Sequence, residues 1–524
     1  MTDERQAMAL YSNPVLDADW PDPDAIRVGD DFWLVASSFN RAPGLPVLHS
    51  RDLVTWEHVA NALPHVPPVD HYALPRRGSG VWAPSLRHHD GRFVIVYPDP
   101  DHGIYVLTAT DPRGPWSEPW CLLPGRGLID PCPLWDDDGQ AYLVHGWAGS
   151  RAGIKNRLTV VEVDPGLRQV VGGPRTVVDG EELPGFRTLE GPKLYKRDGW
   201  YWIFAPAGGV ATGWQTVFRS RSVWGPYEHR VVLEQDTTPV NGPHQGAWVD
   251  APDGSDWFLH FQDRGVFGRV VHLQPMRWVD GWPQIGEPLG HGRGRPVAVH
   301  PLPVPAAEPV PAGGDGRREP VRSDDFTIPG PAVRWHWQAN PQPGWVEASG
   351  DGALRLRAQV TARGDLREHG AVLCQQLPGR PSTWTTRVTL QGDSPGVRGG
   401  LVLLGREYAW FGLVRTPTGV DVALRRSTPA GAAAVEESLA QAPAPGDTLD
   451  VRLAIDDSGT ASFSWCALGT GAWQDLGPTW TAVAGHWIGA EVGLFAAAPP
   501  GTPAAERGGA LFGPVRVTVA GKDA

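Results

Sequence analysis

The sequence predicts an all-β protein in two parts: a five-bladed β-propeller over residues 1–292 and a β-sandwich over 323–524, joined by a Pro/Ala/Gly-rich linker at 293–322. Three observations predict it. A short grammar recurs five times in the first part, the composition breaks near residue 293, and period-two alternation resumes after residue 323.

In each repeat an anchor residue precedes a short apolar strand, an Asp/Gly turn and a second, strongly apolar strand. Asp22 leads into Ala25–Val28, a turn at Gly29 to Asp31, and Phe32–Val35. Trp82 leads into Ser85–His88, Asp90-Gly91 and Phe93–Tyr97. Asp130 leads into Pro133–Trp135, Asp138-Gly139 and Ala141–Val144. Glu190 leads into Lys193–Lys196, Asp198-Gly199 and Trp200–Phe204, and His244 into Ala247–Val249, Asp253-Gly254 and Trp257–Phe261. Asp and Gly accept the positive φ that tight hairpins require, so each unit reads as a hairpin. The units lie roughly 45 to 65 residues apart, the spacing of propeller blades. A further pair of strands is expected in each, such as Leu45–His49 before Asp52–Trp56, or Gly103–Ala109 before Gly114–Trp116.

From 293 to 322 proline, alanine and glycine dominate, which suits an extended connector. Beyond it Ala353–Val360, Thr383–Leu390, Thr448–Ile455 and Pro514–Val519 alternate polar and apolar residues, as half-buried antiparallel strands do.

Composition narrows the partners. The 65 glycines and 53 prolines suit many short strands and turns. A formal net charge of -12 argues against nucleic acid or an anionic membrane as partner. Most of the 25 tryptophans are expected in blade cores and the remainder as flat platforms for sugar rings. Cys121, Cys132, Cys374 and Cys466 have no metal-binding or redox spacing and are expected to be free buried thiols. The first dozen residues contain no apolar run of signal-peptide length and no stretch is long enough to span a bilayer, so a cytoplasmic location is expected.

The innermost strand of every propeller blade runs along the central axis, so residues at equivalent strand ends converge although distant in sequence. Asp22, Trp82, Asp130, Glu190 and His244 are therefore expected in one ring. Asp before Pro is a common turn residue, which is the structural alternative for Asp22 and Asp130. Glu is a poor turn former, and Glu190 is the candidate proton donor. Glycoside hydrolysis needs such a protonated carboxyl beside the leaving oxygen and a second carboxylate to activate water or attack carbon. A propeller that merely binds sugar would need no such pair.

The motifs Asn13 to Asp24 (NPVLDADWPDPD), Gly80 to Ser85 (GVWAPS), Ile129 to Cys132 (IDPC) and Glu190 to Lys196 (EGPKLYK) resemble the signature segments of glycoside hydrolase family 43, in order and across the first 290 residues or so. Arg334 to Trp345 (RWHWQANPQPGW) resembles the concanavalin-like β-sandwich that many β-xylosidase-like members carry. The resemblance implies an inverting mechanism with Asp22 as general base, Glu190 as general acid and Asp130 as the carboxylate that keeps Glu190 protonated and oriented. It implies that Arg269 meets the sugar hydroxyls, that Phe39 and Trp82 wall the pocket, and that His244 lies in it. In some members that histidine helps hold calcium through water, so calcium is a possible rather than required cofactor. The retaining invertase-like propellers fit less well, because Asp130 follows Ile rather than Arg and Glu190 precedes Gly rather than Cys. The substrate implied is a short plant-derived oligosaccharide ending in β-D-xylose. Asn40, Arg41 and Ala42, where such xylosidases usually show aromatics, suggest a more polar rim and bring α-L-arabinofuranosidase close behind.

Overall fold

The structure, a computed structural model, describes residues 9–303, 323–328, 330–348, 352–429 and 435–521. Five sheets, each built on four consecutive antiparallel strands, follow one another along the first half of the chain, the fourth extended to six strands by later segments. The first comprises Asp24–Val28, Asp31–Val35, Gly44–Ser50 and Glu57–Leu63; the second Ser85–His89, Arg92–Asp99, Gly103–Ala109 and Trp120–Pro124. The third comprises Leu128–Trp135, Ala141–Trp147, Arg157–Val163 and Val170–Asp179; the fourth Lys193–Arg197, Trp200–Ala207, Trp214–Ser220 and Glu228–Glu234. The fifth comprises His244–Asp250, Asp256–Asp263, Arg269–Val279 and Trp282–Ile285. First strands of neighbouring sheets pack together from the first blade to the fourth, and that of the fifth packs back on the first, which closes a five-bladed propeller.

The inner hairpins follow the turn chemistry. His89 pairs with Arg92 and Arg197 with Trp200, so Asp90-Gly91 and Asp198-Gly199 are two-residue turns. All four residues have positive φ, at 49°, 71°, 53° and 70°, the conformation that matches the right-handed twist of the flanking strands. The outer strands lie further along than expected. Asp52–Trp56 is a turn, because Asp52 Oδ1 accepts the backbone N–H groups of Val54 and Thr55 at 2.8 and 2.6 Å and satisfies them away from any sheet. Gly114–Trp116 likewise belongs to the loop before the strand Trp120–Pro124.

The linker expected at 293–322 does not begin at 293. Arg293–Arg295 joins the fourth blade through Gly294 beside Leu233, and Val299–Pro301 pairs with Leu10–Ser12. Residues 293–303 thus belong to the propeller, and 304–322 lie outside the described residues. The ends of the propeller chain are stitched together here, as Asn13 Nδ2 donates to the carbonyls of Leu273 and Val297 at 2.8 and 2.9 Å.

The C-terminal part is a β-sandwich. One sheet runs in the order His336–Trp337, Leu373–Gln376, Glu491–Ala497, Arg398–Leu404, Tyr408–Thr416, Gly419–Ser427, Glu436–Pro443. The other is centred on Ser382–Gln391 and Thr448–Ile455. Burial alternates strictly along Thr448–Ile455, so the period-two pattern does place one face inward. The inward residues do not form a core of their own. Trp384, Phe411 and Leu453 share one continuous apolar cluster with Trp20, Trp56 and Phe267 of the propeller, through Trp335 and Trp337.

Three thiols are buried, whereas Cys121, expected to be buried with them, is exposed on the edge strand Trp120–Pro124. No helix among the described residues is long and apolar enough to cross a membrane.

Candidate active site

The five anchors stand at the starts of the first strands, and local geometry explains how each side chain is aimed. Asp22 and Asp130 have φ of 53° and 55°. Asp visits this left-handed region more readily than most residues, and such backbone strain collects where function requires it. The register slips between Ile129 and Cys132, a bulge that turns the Asp130 side chain out of the pleat. A second slip between His244 and Gly246 does the same for His244. Only glycine fits at 246, since a Cβ there would lie 1.6 Å from the Leu259 carbonyl oxygen.

Asp22 is held at both oxygens. Arg269 Nη1 donates to Oδ1 at 2.8 Å and the Ser37 hydroxyl to Oδ2 at 2.6 Å. Arg269 itself is buried, and its guanidinium lies over the Phe261 ring at 4.7 Å. Glu190 keeps 27% of its side chain exposed and lies 3.1 Å from His244 Nε2, whose ring is buried. It is thus the accessible carboxyl of the set, next to the axis opening. Asp130 is buried and accepts the Gly191 backbone N–H at 2.7 Å, so the backbone that follows Glu190 is fastened to it.

Burial pushes the Asp130 carboxyl up to about 8, with the Glu190 carboxyl adding to it and the Gly191 N–H pulling the other way. The resemblance places a retained proton on Glu190; here burial favours the protonated form of Asp130 beside it.

Phe39 and Trp82 lie side by side, with ring centroids 6.4 Å apart. Phe39 is held at a φ of 53° by reciprocal backbone bonds with Val81 at 2.8 and 3.0 Å. Trp82 is half-buried; its indole donates to the Gly78 carbonyl at 3.2 Å and the Arg151 guanidinium stands 5.5 Å from its ring centre.

The expectation of a polar rim at residues 40–42 is corrected. Asn40, Arg41 and Ala42 are buried and face the sandwich. Asn40 Nδ2 donates to the Gln338 carbonyl at 2.6 Å, and Ala42 and Trp337 exchange backbone bonds at 3.1 and 2.7 Å. The residues that replace the usual aromatics are therefore docking residues for the second domain.

A layer of charge beneath the ring escaped the sequence reading. Lys193 is fully buried and donates to the Pro84 carbonyl at 2.7 Å and Ser85 Oγ at 2.9 Å, with Asp24 Oδ2 at 3.6 Å. Asp24 also accepts from Arg87 Nη1 and the Leu86 N–H, both at 2.8 Å. These contacts tie blades one, two and four together just below the carboxyls. The signal was present: Asp24 sits one strand period after Asp22, and Lys193 lies within the Glu190 motif, in a strand that buries its start.

Calcium prefers six to eight oxygen ligands. Among the described residues no three His, Cys, Asp or Glu side chains are grouped to hold a metal ion, so the side chains around His244 do not make a calcium cage. His244 Nδ1 is nevertheless buried without a hydrogen-bond partner.

Comparison with known proteins identifies the family. Residues 11–283 match Glycosyl hydrolases family 43, and residues 323–512 match the Beta xylosidase C-terminal Concanavalin A-like domain. A putative beta-xylosidase of Xylanibacter ruminicola is 39% identical over 78% of this chain and 74% of its own. A non-reducing end alpha-L-arabinofuranosidase of Bacteroides ovatus is 28% identical over 94% of this chain and 92% of its own. Among solved structures, a bifunctional GH43-CE protein of Bacteroides eggerthii superposes with a TM-score of 0.83 at 25% identity, covering 99% of this chain and 65% of that one. Two carboxyls brought together within a five-bladed propeller, a third held by an arginine, and matches across both domains lead to one conclusion: the chain belongs to glycosyl hydrolase family 43 and is a glycoside hydrolase.

Proposed function

We propose that the protein is an inverting, exo-acting glycosidase that removes terminal β-D-xylose from short plant-derived oligosaccharides. The observation that carries this reading is the division of labour among the three carboxyls. Asp22, fixed by Arg269 and Ser37, accepts a proton from the attacking water. Glu190, exposed to the opening and beside His244, delivers a proton to the departing oxygen. Asp130, kept protonated by its burial beside Glu190 and bonded to the Gly191 N–H, fixes the backbone beneath the acid. Water attacks the anomeric carbon as the glycosidic bond breaks, one proton passing to Asp22 and one leaving the acid for the released alcohol. The reading requires the base and acid carboxyls to stand about 6.5 to 9.5 Å apart, with room for that water. No step is routed through a metal. Arg269, with planar paired donors, and the Phe39 and Trp82 rings suit the hydroxyls and flat face of one terminal sugar.

α-L-Arabinofuranosidase is the second reading, favoured by the arabinofuranosidase relative that aligns across both domains. Initial rates of purified protein on the aryl β-D-xylopyranoside and the aryl α-L-arabinofuranoside, with Glu190→Ala as blank, decide between them. Faster xyloside cleavage is expected; faster arabinofuranoside cleavage replaces the first reading by the second, and cleavage of neither removes both. We place the reaction in the cytoplasm, where short imported oligosaccharides would meet an exo-acting enzyme; cell fractionation tests this.

A further inference from the structure

The base is joined to the sandwich by an unbroken run of buried charges. Glu491, at the start of the strand Glu491–Ala497, accepts from Gln338 Nε2 at 2.7 Å and lies 2.5 Å from His336 Nε2. Its Oε1 is 2.8 Å from Arg41 Nε across the domain boundary. Arg41 Nη2 donates to Asp19 Oδ2 at 3.0 Å, and Asp19 Oδ1 accepts the backbone N–H of Arg269 at 2.9 Å. Arg269 in turn holds Asp22. All five side chains are at least nine-tenths buried, so no solvent competes within the run.

The backbone follows the same path. Asp19 lies flat on Gly268, where a Cβ would meet its Oδ1 at 2.2 Å. The sandwich rests on the same turn, since a Cβ on Gly489 would meet Gly268 N at 2.7 Å and the Ala490 N–H donates to the Val266 carbonyl at 2.7 Å.

Asp19 and Asp22 both face Arg269, so they compete for it. Arg269 keeps one donor, Nε, buried without a partner, which leaves the guanidinium able to re-pair. We propose that Arg41, clamped between Asp19 and the sandwich residue Glu491, is a positioning residue for the base: by occupying Asp19 it reserves the Arg269 guanidinium for Asp22. The inference rests on Asp22 being the base. It gives the sandwich a part in catalysis through Glu491, without contact with substrate.

Several charges bear on this run. Asp130 and Arg269 face Asp22; Arg41, Arg269 and His336 face Asp19; Glu491, His336 and Cys374 face Arg41; and Arg77, Cys374 and His336 face Glu491. Burial pushes Asp19 up and Arg41 opposes it. Burial also disfavours a charged Glu491, yet Arg41 and His336 pull it down to about 2. Arg41 therefore has an ionised partner in Glu491 throughout the working range.

The test is the pH profile of kcat/KM for Arg41→Met, Arg41→Met with Asp19→Asn, and Asp22→Asn. In Arg41→Met the guanidinium turns to Asp19, Asp22 takes up a proton more readily, and the acid limb moves up by about one pH unit or more. The rate at the acid end falls about tenfold, and a crystal structure of the variant shows Arg269 on Asp19. Adding Asp19→Asn removes the competitor and restores the limb. A folded Arg41→Met with an unmoved limb, or a double variant that stays shifted, overturns the proposal. Should Arg41→Met fail to fold, Arg41→Lys, which keeps the charge but reaches one carboxylate at a time, must show the same displacement in smaller degree, and a wild-type limb there overturns it equally. An active Asp22→Asn would instead sink the base assignment itself.

Discussion

Replacing Asp130 by Asn separates what this carboxyl costs the fold from what it does for the reaction. The substitution is isosteric, and the amide oxygen can still accept the Gly191 N–H that Asp130 receives at 2.7 Å. Burial, with Glu190 beside it, lifts the Asp130 carboxyl from 3.8 to about 8. The native state therefore binds more protons than the unfolded state between about pH 4 and 8, and stability falls as pH rises across that window. At pH 7 the difference of some three pH units corresponds to about 4 kcal/mol as an upper bound. An Asn has no such term. The stability gain of Asp130→Asn over wild type should thus be near zero at about pH 4, grow with pH, and level off near pH 8, seen as a melting-temperature difference of several degrees. The same variant should lose about 10²- to 10⁴-fold in kcat, because the carboxyl beside the acid is gone. Thermal melts of both proteins at four or five pH values give the answer. A variant less stable than wild type by the same amount at every pH would refute the reasoning, because it would mean that Asp130 is ionised and fully satisfied by its backbone donor.

Other perturbations have equally definite outcomes. Asp22→Asn should abolish hydrolysis while leaving sugar binding nearly intact, as read by calorimetry with the product pentose; unimpaired turnover removes Asp22 from the mechanism. Glu190→Gln should slow oligosaccharides far more than aryl glycosides with good leaving groups, which need less protonation; equal losses on both count against its role as acid. A chain ending at residue 303 should aggregate, since the propeller would lose the Trp335 and Trp337 side of a shared core in which each buried aromatic contributes about 1.5 to 3 kcal/mol. A soluble, fully active fragment would contradict that. Exhaustive dialysis against EDTA should leave kcat/KM within about twofold, and a large loss restored by calcium would add the ion to the site.

The propeller was legible because its signal is local and repeated. Asp90-Gly91 and Asp198-Gly199 demand positive φ whatever surrounds them, and five copies at blade spacing leave few other folds. The carboxyl ring was legible because equivalent strand ends converge in a propeller. Partners that depend on long-range packing were not legible. Ser37 reaches Asp22 from across a hairpin, and nothing in its neighbours marks it. Arg41 was read as rim because its sequence neighbour Phe39 belongs to the pocket, yet a residue two positions along an irregular segment can face the opposite way, and here it faces Glu491, which lies 450 positions later. The composition of Arg293–Pro301 suits a linker, although Gly294 and Val299–Pro301 pair with strands placed there by the closure of the ring.

The central claim is single displacement by water, with Asp22 as base and Glu190 as acid. The anomeric form of the first-released pentose, followed by proton NMR within the first minutes of xyloside cleavage, tests it most directly. Single displacement releases α-xylose first, with β-xylose appearing only by mutarotation. β-Xylose as the first product would mean a covalent intermediate and a nucleophilic carboxylate, and would contradict it.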